Sequence, residues 1–249
     1  MHPYFNKLSF IALAALAAVL APAHAATSKA TASIDNFRYE LVDLNLADGI
    51  TPSITFTSHM MINAIYADGT QQSSGLGSPM WIGNAFGSAE GTRTDTSLRS
   101  TAKINHLPTP DNANHAFTNE FSHWASFTLS PNTQLIFTGV GTIAQELAGP
   151  VSYSKSYIRM HAYLSDGYTY DRFTKEYESN TGSFSMNLYG SVSSNEQAID
   201  GGFHLMTGAV LTRTSPVPEP STYGMLLAGT FMVGAMARRQ RRAVARPAA

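Results

Sequence analysis

The sequence predicts an all-β fold, an antiparallel β-sandwich that could take a jelly-roll form, flanked by an N-terminal signal helix and a short C-terminal transmembrane helix. Three observations predict it. Apolar and polar residues alternate with a period of two over several runs, turn-forming residues separate those runs, and no segment between residues 26 and 215 carries a helical period of ten or more residues. About nine to eleven short strands in one domain suit two packed sheets.

The runs come in order. Phe37, Tyr39 and Leu41 alternate first. Residues 53–66 then place Ile54, Phe56, Met60, Ile62, Ala64 and Tyr66 on one face and Thr55, Thr57, His59 and Asn63 on the other, which reads as a long half-buried strand. The Gly/Ser-rich stretch 71–79 reads as a long loop. Leu98, Ser100, Ala102 and Ile104 make a further strand face. Residues 125–129 and 133–138 flank Ser130-Pro131-Asn132 as a hairpin, and Ile158, Met160, Ala162 and Leu164 lead into a second hairpin around Asp166-Gly167. Phe184, Met186 and Leu188 close the series. Trp81 and Trp124 are expected in the core or at its rim.

The 249 residues include no cysteine, which excludes disulfides, thiolate metal sites and cysteine nucleophiles. Between residues 26 and 215 stand ten Lys and Arg against sixteen Asp and Glu, a net charge of −6. Such a surface repels phosphate backbones and shows no basic stripe, so nucleic acid is not an expected partner.

Both ends differ from this middle. Lys7, the apolar run 8–20 and the small-x-small pattern at Ala23 and Ala25 read as a signal peptide, residues 1–25, cut by signal peptidase after Ala25. At about 13 residues the run is too short to span a hydrocarbon core of about 30 Å. The other end, residues 216–249, has three parts. Val217, Pro218, Glu219, Pro220, Ser221 and Thr222 form a proline-stiffened handle; residues 223–237 form an uncharged stretch; and Arg238, Arg239, Arg241 and Arg242 act as a stop-transfer cluster. As a helix the middle part would rise about 22 Å, enough to enter a membrane transiently as a weak anchor. The arginines fix the topology, with residues 26–215 outside.

This tripartite tail resembles the PEP-CTERM sorting signal of Gram-negative bacteria. Pro218-Glu219-Pro220, Ser221-Thr222, Gly224, Gly229 and the arginine cluster stand where that family has them. The resemblance implies recognition and cutting near the motif by an exosortase, a membrane-embedded transpeptidase-like enzyme. It also implies a destination at the cell surface or in an extracellular matrix rich in exopolysaccharide, as in a biofilm. For the globule it implies no activity.

The middle offers few candidates for chemistry. No GxSxG or HExxH pattern occurs, and no catalytic residue, metal ligand or cofactor is expected. His106, Asp111 and His115 share one loop, Glu176 and Glu178 share one strand face, and Asp166 and Asp171 flank a turn; each set reads as polar surface. Six tyrosines, at 153, 157, 163, 168, 170 and 177, crowd one region. Of these Tyr157, Tyr163, Tyr168 and Tyr170 form a candidate glycan platform, because a tyrosine ring offers an apolar face and a polar tip. The leading expectation is a non-enzymatic surface or matrix protein; the alternative is a carbohydrate-binding module for the producing cell's exopolysaccharide, and an exported hydrolase stands third.

Overall fold

The computed structural model describes residues 26–75, 77–107, 113–165 and 170–214, with Leu227 and Thr230 of the tail. The chain divides into two compact units, Met1–Thr214 and Ser215–Ala249. The expected signal peptide with Ala23 and Ala25, the handle 217–222 and the arginine cluster lie outside the described residues. So does the stretch 223–237 apart from Leu227 and Thr230, which are helical. Among the described residues no helix is long and apolar enough to cross a membrane.

Within the first unit the described strands are β1 Ala26–Asp43, β2 Ile54–Ala67, β3 Thr70–Ser74, β4 Met80–Asn84, β5 Gly87–Arg93 and β6 Leu98–His106, followed by β7 His115–Leu129, β8 Thr133–Glu146, β9 Tyr153–Ser165, β10 Tyr170–Ser179, β11 Phe184–Ser193 and β12 Ile199–Arg213. They form two six-stranded antiparallel sheets. Sheet I runs β11-β8-β1-β6-β5-β4 and sheet II runs β10-β9-β12-β7-β2-β3. The molecule is the all-β sandwich that the alternation predicts. Among the described residues there are twelve strands, several of them long, against the nine to eleven expected, and twelve exceed the eight of a jelly roll.

Local chemistry sets the turns. Asp68 and Gly69 both hold positive φ, 45° and 87°, as a two-residue hairpin turn requires. Asp68 is fixed there because its Oδ1 accepts the Ala116 amide at 2.9 Å and its Oδ2 accepts Asn84 Nδ2 at 2.8 Å. That hairpin corrects the expected loop 71–79, whose first part is β3, paired with β2 from Asn63↔Ser74 to Ala67↔Thr70. The Ser130-Pro131-Asn132 turn joins β7 and β8 with Asn132 at φ 50°, but the expected hairpin does not form: β7 pairs within sheet II and β8 within sheet I, so the chain crosses between the sheets at this turn. The second expected hairpin does form, between β9 and β10.

The core lies between the sheets in two clusters. The larger gathers Phe121, Phe127, Leu129, Phe137, Ile158 and Met160, and the smaller gathers Ile65, Ile104, Phe117, Ala209 and Leu211. Two buried asparagines hydrogen-bond to each other and to backbone carbonyls in the interior. Asn63 Nδ2 donates to the carbonyls of Ser78 (3.0 Å) and Gly91 (3.2 Å), and Asn119 Nδ2 donates to Asn63 Oδ1 at 2.6 Å.

One expected face is inverted. The register of β2 against β7 slips between Phe56 and Ser58, so Thr57 is an extra residue. A one-residue bulge turns every later side chain to the other face. Ile54 and Phe56 point inward as expected, but beyond the bulge Asn63, Ile65 and Ala67 are buried while Met60 and Tyr66 are exposed.

Candidate functional site

β12 is the middle strand of sheet II, with β9 on one side and β7 on the other. Register places outward-pointing residues in rows across these strands. One row reads Met60, Trp124, His204, His161 and Thr174; its neighbour reads Ser58, Ser126, Gly202, Tyr163 and Arg172. Glycine at positions 202 and 208 of β12 leaves hollows that rings from β9 cover. A Cβ at Gly202 would lie 3.0 Å from the Tyr163 ring, and one at Gly208 would lie 2.1 Å from Tyr157 Cζ.

The two tyrosines have different fates. Tyr157 is half-buried, and its hydroxyl reaches across β12 to donate to Glu120 Oε2 of β7 at 2.5 Å. Burial, and then that hydrogen bond, push the Tyr157 hydroxyl above its ordinary range, so it serves as a neutral structural clasp. Tyr163 remains 37% exposed. Tyr168 lies outside the described residues, as does the side chain of Tyr170. Tyr177, from the same crowded region, turns inward against the larger core cluster.

Facing Tyr163 across the groove is a residue that the sequence reading assigned to the core or rim. Trp124 is 42% exposed and stacks on His204, ring centroids 3.6 Å apart at 11°. Trp81, on the edge strand β4, is likewise exposed. The outward position of Trp124 was available from the alternation of Ala125, Phe127 and Leu129; its neighbours were not, because they come from β12 and β9. A groove of about 380 Å³ runs between Trp124 and Tyr163, with Gly202, Ser58, Met60 and Ser126 also lining it. A second hollow of about 270 Å³ shares Ser126 and Tyr163 with it and adds Thr57, Ser165 and Asp200.

His204 lines the groove beneath Trp124 and is only 4% exposed. Burial first, and then the charges of Arg159, His161 and His123, pull its pKa down to about 4, so the ring is neutral near pH 7. Its Nε2 is buried without a hydrogen-bond partner among the described residues. The groove therefore combines two open ring surfaces, serine hydroxyls and one neutral imidazole with an unused nitrogen.

The other candidate groups are drawn into local structure. Glu176 pairs with Arg159 at 2.7 Å and Glu178 with Lys155 at 2.5 Å. His106 Nε2 lies 2.8 Å from Ser28 Oγ, while His115 Nδ1 pairs with Asp68 Oδ2 at 2.8 Å, so these two histidines turn to separate partners. Asp171 Oδ2 accepts the Ser193 amide at 2.8 Å; Asp111 and Asp166 lie outside the described residues. Among the described residues no cluster of three or more His, Asp or Glu is placed to hold a metal ion.

Comparison with known families bears on the other end of the chain. A model described as the PEP-CTERM protein-sorting motif matches residues 216–242. The tail is a PEP-CTERM sorting motif. That span takes in Pro218-Glu219-Pro220, the apolar stretch and the four arginines. The motif marks an exported protein sorted at a membrane by an exosortase. No curated protein matches the chain.

Proposed function

We propose that this PEP-CTERM protein is a non-enzymatic component of the cell surface or extracellular matrix, and that its sandwich binds the producing cell's exopolysaccharide along the outer face of sheet II. The observation that carries the ligand is the groove between Trp124 and Tyr163. A sugar ring has an apolar face of C–H groups and a rim of hydroxyls. Exposed aromatic rings suit the face, and small polar groups at the floor suit the rim. Trp124, Tyr163, Ser58, Ser126 and His204 supply both kinds of group along one line. The tail motif supports the destination, since a protein released or attached outside the membrane meets the matrix first.

The test is titration of the full-length chain with exopolysaccharide isolated from the producing cells. Binding is expected, and Trp124→Ala and Tyr163→Ala should each weaken it by at least tenfold, as truncation of an aromatic anchor does. Absence of binding, or binding untouched by both substitutions in folded protein, overturns the glycan reading. Deletion of the gene should alter matrix composition or adhesion; an unchanged matrix counts against the surface role.

A further inference from the structure

A further hollow lies between the sheets, next to the larger core cluster, and two bulged strands border it. In β1 the register slips between Asp35 and Arg38, where Asn36 holds φ 54°; in β2 it slips at Thr57. Across the sandwich Tyr39 of β1 and Phe56 of β2 are in ring contact at 5.7 Å, and Phe37 of β1 meets Phe203 of β12 at 5.8 Å. A bulge bends its strand and steepens the twist. Beside these two bends lies a cavity of about 370 Å³.

Its walls are aromatic. Phe37, Tyr39, Phe56 and Phe203 line it together with His59 and His123, whose rings stack at 5.9 Å. The segment 94–97 borders the opening and is tied to the β1 bulge, because the Phe37 amide donates to the Thr96 carbonyl at 2.9 Å. Arg38 and Asp95 also line the cavity, so opposite charges offset one another at its margin. His123 Nε2 is buried and has no hydrogen-bond partner among the described residues. Burial, and then the charges of His59 and Arg93, lower the His123 pKa to about 4, so this ring too is neutral near pH 7.

We propose that this inter-sheet cavity binds a small uncharged ring compound carrying one hydroxyl group, with the ring among Phe37, Phe56 and Phe203 and the hydroxyl on His123. Volume and lining match small-molecule sites, which are mostly apolar with few placed polar groups. A charged ligand does not fit, because an unpaired charge among these rings is heavily penalised. A buried nitrogen without a partner is also unfavourable, and a ligand hydroxyl relieves it. The site is separate from the outer groove, which lies on the opposite face of sheet II.

The probe is 2-naphthol, with naphthalene as its counterpart lacking the hydroxyl, titrated calorimetrically into the full-length chain. One 2-naphthol is expected per chain, with naphthalene and the His123→Phe variant each weaker by roughly fivefold to tenfold. Thr96→Trp, at an exposed rim position, should block binding while leaving the thermal midpoint near wild type; Trp124→Ala should leave it unchanged. No 2-naphthol binding, equal affinity for both probes, or binding indifferent to Thr96→Trp overturns the proposal. Loss on Trp124→Ala would place the probe in the outer groove and overturn it equally.

Discussion

Gly208 is where the outer face of sheet II is most sensitive to a single methyl. A Cβ there would sit 2.1 Å from Tyr157 Cζ and 2.5 Å from its hydroxyl, far inside van der Waals contact. The strand cannot retreat, because β12 is hydrogen-bonded on both sides, so the ring must lift away. Lifting it breaks the 2.5 Å bond to Glu120. A hydrogen bond to a charged acceptor is worth about 1.5–3 kcal/mol, and forced overpacking costs typically 1–3 kcal/mol. Gly208→Ala should therefore destabilise the fold by about 2.5–6 kcal/mol. In a domain of this size that is a fall of roughly 5–24 °C in thermal midpoint. Urea unfolding of Gly208→Ala, Tyr157→Ala and the double variant measures the coupling directly. With the ring already removed the added methyl has nothing to strike, so the double variant should be no less stable than Tyr157→Ala within about 0.5 kcal/mol. Strictly additive losses would refute the clasp.

Other outcomes follow from the same geometry. Asn63→Ala removes two donated bonds to carbonyls, one buried and one partly buried, and the buried acceptor of Asn119, and should cost about 2–4 kcal/mol in urea unfolding. Glu176→Gln, which loosens an exposed pair with Arg159, should shift stability by no more than about 1 kcal/mol. His204 and His123 both have folded pKa values lowered to about 4, so between pH 6.5 and about 4 the unfolded chain binds protons that the folded chain refuses. Stability present at neutral pH should be lost as the pH falls through that window, and His204→Phe should flatten the profile; an unchanged profile would count against a neutral His204. Replacing Pro218, Glu219 and Pro220 together by Ala should leave the tail uncut, visible as unprocessed mass, whereas normal processing would remove the motif from the sorting step.

Much of the sandwich was legible because a strand with one face in the core must alternate. The faces Leu98, Ser100, Ala102, Ile104 and Ile158, Met160, Ala162, Leu164 are all buried as the period of two predicts. β12 was not legible, although it is the strand on which the outer site rests. Eleven of the fifteen residues of Ile199–Arg213 are buried, from both faces, so its sequence has no clean alternation to read. The bulge at Thr57 inverted the face expected beyond it in β2, since nothing in residues 53–66 marks where an extra residue enters the ladder.

The site divides in the same way. A proline-stiffened handle, an apolar run and an arginine cluster act through order along the chain, and for that reason the sequence by itself determined the tail as an address. The proposed glycan groove and the inter-sheet cavity depend on neighbours far apart in sequence: Trp124 meets His204 and faces Tyr163 only through register, and Tyr39 meets Phe56 only through the packing of one sheet on the other. Tertiary structure alone decided these, because pairing of strands, not composition, sets which side chains share a surface.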